Sequence, residues 1–535
     1  MYAIDFGTSN TVVSRWNAAT ESAETLTLGE LSASTGQGNP PLIPSLLYVE
    51  KAADRAEKMS VLVGQTVRDR GLDLSTETRF FRNFKRGIGT PMQGFMPELD
   101  GQALSFEQIG SSFLYRVIRQ IKTQDPQLDA LVFTVPVDSF EAYRLWLSEV
   151  CKALDIAQVR LLDEPTAAAL GYQLAPEQRT LLVIDFGGGT LDFSLVQRPA
   201  TSASAKPLGF LLKWGQKPVE ADTQRASTVR VIAKAGENLG GADIDRWVAE
   251  HFERSQGMPL NATTLRLAEK LKISLSDKPT ATEAYFDEEA LDSYELPLNR
   301  EQFNQILSEQ EFFVRLNNRL SQVLQQAQRQ NIASEDIDAV LLVGGTAQIP
   351  AVQDWARTHF EAEKIRCDRP FEAISHGALS LNTTQVQDFL YHSYGIRYWD
   401  KRNNAHGWHP IVQQGQPYPT AEPIELFLGA STEKQPSIEL VLGELGEAQS
   451  TTEVYFEGDQ LVMRPSGSKS APSVRPLNDK DGARTIAKLT PPGFPGSDRV
   501  RILLSIDTDR FLRMSVEDLL TSETLMDNKA VVQLK

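Results

Sequence analysis

The chain has 535 residues, 41% of them hydrophobic and 23% charged, with a formal net charge of −16. That length predicts two to four domains, and the acidic balance argues against generic binding to nucleic acid or to an anionic membrane. No run approaches the ~20 apolar residues that cross a bilayer, residues 1–20 lack the basic start and apolar core of a secretory signal, and Cys151 and Cys367, with no partner pattern, read as free thiols of a reducing, cytoplasmic compartment.

In chain order, the apolar run Tyr2-Ala3-Ile4 leads into Asp5-Phe6-Gly7-Thr8-Ser9-Asn10 and then Thr11-Val12-Val13, the pattern of strand, tight glycine turn and strand. Glycine there lets backbone N–H groups converge on an anion, because no Cβ blocks the approach. The hydroxyls of Thr8 and Ser9 are donors for phosphate oxygens. Leu131–Val135 predicts a buried strand ending at Pro136, followed by an amphipathic helix over Ser139–Leu154 with Tyr143, Leu147, Val150 and Leu154 on one side. Leu161-Leu162-Asp163 predicts another strand, and Glu164–Leu170 a helix with Pro165 in its first turn. Leu181–Ile184 then introduces a second copy of the turn, Asp185-Phe186-Gly187-Gly188-Gly189-Thr190, followed by Phe193–Val196. Carboxylates beside phosphates repel them, so Asp5 and Asp185 make sense with a hard cation between. One such turn is ordinarily just a turn. Two in the same strand context point to a nucleoside triphosphate held between two related lobes.

Residues 198–228, mixed in Ala, Ser, Thr, Lys and Pro, read as an insertion in a hairpin. Residues 311–330 predict a long Gln-rich amphipathic helix, and Ala339–Val343 runs into Gly344-Gly345, a third strand-to-glycine turn. The pattern to about residue 385 is α/β. From Tyr394 it becomes all-β, with strands expected at 424–428, 438–442, 500–506, 511–516 and 530–534 and a mobile polar loop at 464–484. His406-Gly407-Trp408-His409 lacks the cysteine or carboxylate partners of a metal centre.

Together these residues resemble the seventy-kilodalton heat-shock chaperone family (DnaK-type), within the actin and sugar-kinase superfamily. Asp5–Asn10 and Asp185–Thr190 resemble its two phosphate motifs, Leu162–Tyr172 its connecting motif, and Val343-Gly344-Gly345-Thr346 its adenosine motif. Phe84–Gly89 resembles the segment with its catalytic lysine, Ala268–Ser276 its adenosine-contacting helix, and Ser505–Asp518 the closing strands of its peptide-binding sandwich. The resemblance implies an α/β actin-like, two-lobed ATPase domain over 1–385, a linker over 386–394 and an all-β sandwich over 395–535. It implies ATP or ADP with magnesium, the metal held largely through its waters by Asp5, Glu164 and Asp185. Lys85 would orient the attacking water and offset charge on the γ-phosphate, with Thr8 and Thr190 donating to it. Gly7, Ser9, Asn10, Gly187, Gly188, Gly189, Gly344, Gly345, Thr346 and Gln348 would bind the nucleotide. Glu269, Lys272 and Ser276, at helical spacing on one face, would reach the nucleoside, although an ordinary i,i+3 charge pair has the same spacing. Pro136 and Arg144 match the family's proline switch and the arginine that senses it. Arg160 matches an arginine that contacts the linker, the β-domain and the J-domain co-chaperone.

Departures from the pattern also stand out. Gln348 replaces a usual arginine and Phe371 a usual aspartate; losing a guanidinium plane over adenine costs about 1 kcal/mol. Asp388-Phe389-Leu390-Tyr391-His392 is bulkier than the usual leucine-rich linker, and no helical lid is expected after the sandwich, which implies weak, fast-releasing peptide binding. The function implied is an ATP-driven chaperone that grips extended, unfolded peptide by main-chain hydrogen bonds and an apolar pocket, working with a J-domain co-chaperone and an exchange factor. Trp399 is a candidate for that pocket or for the core. The alternative is a regulatory co-chaperone that holds nucleotide with little productive cycling. A filament-forming actin relative is disfavoured, since the β-domain has no role there.

Overall fold

The computed structural model describes residues 1–33, 39–74, 77–89, 97–137, 140–156, 158–172, 174–175, 177–198, 210–213, 229–287, 291–380, 390, 393–400, 405–412, 416, 418–420, 423–430, 432–445, 450–457, 460–469, 474–478, 485–495, 498–507 and 510–534. The chain divides into two compact units. One comprises Met1–Lys217, Ala226–Val386 and Thr452–Arg464; the other comprises Pro218–Arg225, Gln387–Thr451 and Pro465–Lys535. Residues 386–389, 391 and 392 of the expected linker lie outside the described residues. No helix among the described residues is long and apolar enough to cross a membrane.

The first unit is built on two sheets. The strands of the first are β1 (Tyr2–Phe6), β2 (Asn10–Asn17), β3 (Ser22–Thr25), β4 (Ile43–Pro44), β5 (Ala130–Val135) and β6 (Gln158–Asp163), those of the second β7 (Thr180–Phe186) and β8 (Leu191–Gln197). Further along come β9 (Phe210–Lys213), β10 (Arg230–Glu237), β11 (Ala339–Val343) and β12 (Ile365–Arg366). The first sheet runs β9-β6-β5-β1-β2-β3, with β4 also paired to β2; the second runs β10-β8-β7-β11-β12. Each repeats one plan: an antiparallel hairpin whose first strand is flanked by two successive parallel strands, β5 and β6 beside β1, β11 and β12 beside β7. Parallel strands covered on both faces read as continuous apolar runs, and Leu131–Phe133 and Ala339–Val343 are fully buried. Between β8 and β10, which pair directly, the chain leaves and re-enters one antiparallel ladder, and the described part of that excursion, β9, pairs with β6.

Six helices matter for the site: α1 (Phe106–Gln124), α2 (Phe140–Lys152), α3 (Glu164–Gly171), α4 (Gly241–Gln256), α5 (Ala262–Asp277) and α6 (Ala373–Leu379). Asp163 caps α3, its carboxylate accepting the Thr166 N–H at 2.9 Å, and Pro165 occupies the first turn, where its missing N–H has no partner to lose. The apolar stripe expected along α2 is present, with Tyr143, Leu147 and Val150 buried; the helix ends at Lys152, and Leu154 is buried just beyond it. The expected Gln-rich helix spans Phe312–Gln328.

The second unit contains two four-stranded antiparallel sheets. Ser393–Asp400 lies between Ala405–Val412 and Leu442–Leu445, with Val474–Pro476 at the edge. The other sheet runs Ile424–Gly429, Asp498–Ile506, Phe511–Asp518, Glu523–Gln533. Its two central strands bury alternate residues in register, Ile502 opposite Val516, Leu504 opposite Met514 and Ile506 opposite Leu512, the period-two signature of a sheet with one apolar face. Arg499 and Asp518 close it with two parallel hydrogen bonds of 2.8 and 2.7 Å.

Two expectations need correction. The single strand at 438–442 is two strands in different sheets, Gln435–Glu439 and Leu442–Leu445. The buried Asn478 amide splits the run: it donates to the Leu440 carbonyl at 2.9 Å and accepts the Leu442 N–H at 2.7 Å. The expected loop at 464–484 is in part strand, since Gln460–Lys469 and Val474–Pro476 are extended and Val474 and Arg475 pair with Leu445 and Glu444. Backbone pairing outweighs the polar composition there. Residues 470–473 and 479–484 lie outside the described residues, as does the Trp399 side chain.

Candidate functional site

The two glycine turns are braced from behind. Ser45 donates its hydroxyl to the Gly7 carbonyl at 2.7 Å, and Thr346 donates to the Gly187 carbonyl at 2.8 Å. The Gly187 N–H closes its own turn onto the Thr190 carbonyl at 3.1 Å, and the first N–H groups of α4, from Gly241 and Ala242, donate to the carbonyls of Gly187 and Gly188 at 3.1 and 2.9 Å. The turns then meet each other. A Cβ on Gly188 would overlap the Ser9 hydroxyl, and one on Gly189 would stand 2.5 Å from the Thr8 methyl. Glycine is required here because two backbones approach closely.

Buried charge fills the space beside the turns. Phe84, 1% exposed, packs on Phe6 and Phe113 with ring centroids 6.0 and 5.7 Å apart, anchoring the helical turn Phe84–Gly87. That turn presents Lys85, whose ammonium donates to Glu164 at 2.7 Å, while Tyr143 donates to the Lys85 carbonyl at 3.2 Å. Burial works against the Lys85 charge, but Glu164, Tyr143 and Asp5 outweigh it and leave the pKa raised. Thr134 donates to Asp5 at 2.8 Å. Burial, then the Glu164 charge, pushes Asp5 up to about 6, and burial with Glu164, Asp192 and Asp5 pushes Asp185 well above the carboxylate range. Lys85 and Arg86 side chains are each only 10% exposed, which excludes a solvated basic patch.

Three carboxylates facing one ammonium leave a deficit of positive charge that a divalent cation would fill. Among the described residues no group of three His, Cys, Asp or Glu side chains is arranged as a direct metal cage. A hydrated divalent ion that takes phosphate oxygens as ligands, as magnesium usually does, would supply that charge.

The raised Asp5 pKa makes stability depend on pH. The fold holds this proton more tightly than the unfolded chain does, so the group favours folding in acid, and its contribution is lost as pH rises from 3.8 through about 6. Without divalent cation, the melting temperature of Asp5→Asn is expected to fall less than that of the wild type across this window. Parallel pH profiles would remove Asp5 from this role.

One cavity of about 350 Å³ joins these features, a volume suited to a small-molecule ligand. Of the residues predicted for catalysis, metal or nucleotide, Asp5, Gly7, Thr8, Ser9, Asn10, Lys85, Glu164, Asp185, Gly187, Gly188, Thr190, Glu269, Lys272, Ser276, Gly344, Gly345, Thr346 and Gln348 all line it. Gly189 is not among the lining residues and packs against Thr8 and Arg86. Pro136 follows β5, Arg144 is buried in α2 and Arg160 lies on β6; none of the three lines the cavity.

The i,i+3 pair available to Glu269 and Lys272 does not form. Arg68 grips Glu269 with two bonds of 3.0 and 2.9 Å, and Lys272 pairs with Asp245 at 2.7 Å and donates to the Gly241 carbonyl at 3.0 Å. Burial opposes ionisation of Glu269, yet Arg68 and Lys272 hold its pKa below the usual range. Arg86 bonds to the Gly189 carbonyl and, at 3.0 Å, to Asp243. Sequence reasoning missed Arg68, Arg86, Asp243 and Asp245, because such pairs join residues up to 201 positions apart and leave no local pattern.

Comparison with known proteins agrees with the motifs. The sequence model of the family described as "Hsp70 protein" matches residues 88–199 and 226–389, just over half of the chain. The chain is 27% identical over 397 residues to the chaperone protein DnaK of Thermosipho melanesiensis, covering 70% of this chain and 57% of that protein. It is 28% identical over 393 residues to the DnaK of Thermotoga maritima, covering 70% and 58% respectively, and 29% identical over 309 residues to that of Thermus thermophilus, covering 54% and 45%. The alignments thus span less than two thirds of each relative's length. The family match begins after Lys85 and the first glycine turn, so their assignment rests on motif and geometry. With the second glycine turn, the connecting helix α3 and the Gly344-Gly345 turn all inside the matched span, the chain belongs to the Hsp70 protein family.

Proposed function

We propose that the chain is an ATP-hydrolysing chaperone, in which residues 1–385 form an actin-like, two-lobed ATPase domain and residues 395–535 a β-sandwich that binds extended, unfolded peptide. One observation carries the nucleotide reading: glycine turns from two different sheets touch at one cavity, beside a part-buried Lys85–Glu164 pair, with Asp5 and Asp185 in the same lining. Phosphoryl transfer to water asks for positioning and charge neutralisation rather than covalent chemistry. Backbone N–H groups of both turns and the hydroxyls of Thr8 and Thr190 would hold the phosphates, and Lys85 would orient the attacking water. Asp5, Glu164 and Asp185 would hold a hydrated magnesium ion, which when bound supplies charge neutralisation across the phosphates.

The Lys85–Glu164 bond holds the two side chains together beside the glycine turns. Single-turnover hydrolysis of ATP with and without magnesium tests the reading; no magnesium-dependent binding of ATP or ADP would overturn it. Cytoplasmic localisation, a J-domain co-chaperone and an exchange factor belong to the same proposal, by likeness to DnaK.

Coupling between nucleotide and peptide is proposed to involve Pro136, Arg144 and Arg160. Equilibrium coupling is reciprocal and typically 1–3 kcal/mol. Pro136→Gly is expected to bring peptide affinities in ATP and ADP closer together while leaving ATP hydrolysis without peptide intact. If the wild type binds peptide equally in ATP and ADP, these residues have no allosteric role.

A further inference from the structure

Away from the glycine turns the cavity lining adds apolar side chains, Ile273 and Phe371, to its polar ones. Along α5, Lys272 bonds beside the second turn, and Ile273, Ser276 and Asp277 follow it toward the helix end. On the other wall the chain reverses at Gly344, whose φ of +85° and whose contact with the Phe186 carbonyl admit no side chain, and enters the short helical turn Gly345–Gln348. The Phe371 ring edge lies 3.0 Å from where a Cβ on Gly345 would stand, so a bare strip of backbone is set against an aromatic ring. Ile273 is 53% exposed although it lines the cavity.

Each cation in the lining is already matched to a carboxylate: Arg68 to Glu269, Lys85 to Glu164 and Lys272 to Asp245. Gln348, by contrast, lines the cavity with no side-chain hydrogen bond among the described residues. An aliphatic side chain, an aromatic ring and a bare glycine in one cavity lining offer dispersive surface for a flat ring. The free Gln348 amide in the same lining carries one acceptor and two donors, and half a turn about its last torsion exchanges them. Adenine presents an N6 donor next to an N1 acceptor, and guanine an O6 acceptor next to an N1 donor. One amide therefore complements either edge.

We propose, resting on the nucleotide reading above, that Ile273 and Phe371 form a base slot and that Gln348 reads the Watson–Crick edge of either purine, so that the site takes guanine nucleotides as well as adenine nucleotides. A pyrimidine, with one ring, covers less of the slot and binds more weakly.

The full chain is titrated with the magnesium complexes of ADP, GDP, CDP and inorganic pyrophosphate. ADP and GDP are expected within about threefold of each other, and CDP about tenfold weaker, the loss of roughly one ring's packing. Phe371→Ala is expected to weaken ADP and GDP alike by about tenfold and to leave pyrophosphate unchanged. Gln348→Leu should weaken both purines by the same smaller factor. A preference for one purine above about thirtyfold, or equal weakening of pyrophosphate and ADP in Phe371→Ala, overturns the proposal. Pyrophosphate binding as tightly as ADP sinks the base slot and leaves the phosphate site standing. No binding by any of the four removes both.

Discussion

Replacing Lys85 by alanine is expected to slow single-turnover ATP hydrolysis by about 10²-fold or more while leaving nucleotide bound. The size follows from where the ammonium sits. It is largely shielded from solvent, held 2.7 Å from Glu164, feels the Asp5 charge, and lines the cavity. In a low-dielectric, water-poor site a fixed positive charge stabilises charge that develops during reaction far more than it does in water. On the proposed reading, ground-state binding would be shared among two turns and several hydroxyls, so one lost contact there would change affinity little. Removing Lys85 also strips Glu164 of its partner, and an uncompensated buried charge typically costs about 3–5 kcal/mol. The empty variant should therefore melt lower than wild type, and magnesium nucleotide should recover part of the loss. Lys85→Arg keeps the charge but places it on a planar fork of different reach, so hydrolysis should remain impaired while the melting temperature is restored more than in Lys85→Ala. Thr190→Ala should follow the Lys85→Ala pattern in rate without the stability loss, and Asp185→Ala should weaken magnesium-dependent binding as well. If the wild type hydrolyses ATP no faster than Lys85→Ala, the regulatory, non-cycling reading replaces the ATPase reading.

What the sequence reveals of this site is what local chemistry writes into it. The glycine turns, the strand runs that lead into them, the proline in the first turn of α3 and the apolar stripe of α2 are short-range patterns, and all take their expected structures. The strands at 500–506 and 511–516 were equally legible, because alternate burial in a one-faced sheet leaves a period of two. Arg68, Arg86 and Asp245 were not, since an ion pair between distant segments has no periodicity and charged residues at those positions look like ordinary surface. The strand break at Leu440-Val441 was invisible for a related reason: the apolar run is continuous, and the amide that interrupts it comes from Asn478. Composition misled at 464–484, where proline, serine and lysine read as loop although 464–469 and 474–476 are strand.

Gly377→Ala is expected to be among the most destabilising single-methyl changes in the first unit. A Cβ at Gly377 would overlap the Ala167 carbonyl oxygen and stand 2.6 Å from the Gly171 nitrogen; one at Gly171 would overlap the Ala373 carbonyl, 3.0 Å from its Cα. Helices α3 and α6 thus cross at backbone contact, with each glycine seated against the other helix. Overpacking a core costs typically 1–3 kcal/mol, and relief there usually comes from a side chain rotating away. Here both neighbours are main chain, so the helices themselves must separate, and the loss is expected at about 3 kcal/mol. Separation is resisted because α6 is tied back to the first sheet by Ser375 to Ser14 at 2.8 Å and by His376 to Thr25 at 2.9 Å. The displacement falls instead on α3, whose first residue is Glu164, and so reaches the Lys85 pair. Gly377→Ala should accordingly lower hydrolysis as well as stability, although it touches nothing in the cavity. The double variant Gly171→Ala/Gly377→Ala should lose less stability than the two single variants added together, since helices already parted by one methyl accommodate the second more easily. Gly71→Ala supplies the contrast: its φ of +66° strains an added Cβ, but no atom lies within 4 Å of it, so it should cost only about 1–2 kcal/mol of backbone strain. Denaturant midpoints with unchanged m-values give the comparison. A Gly377→Ala protein as stable as wild type would mean that α3 is not held by this crossing, and that the packing account of Glu164 fails.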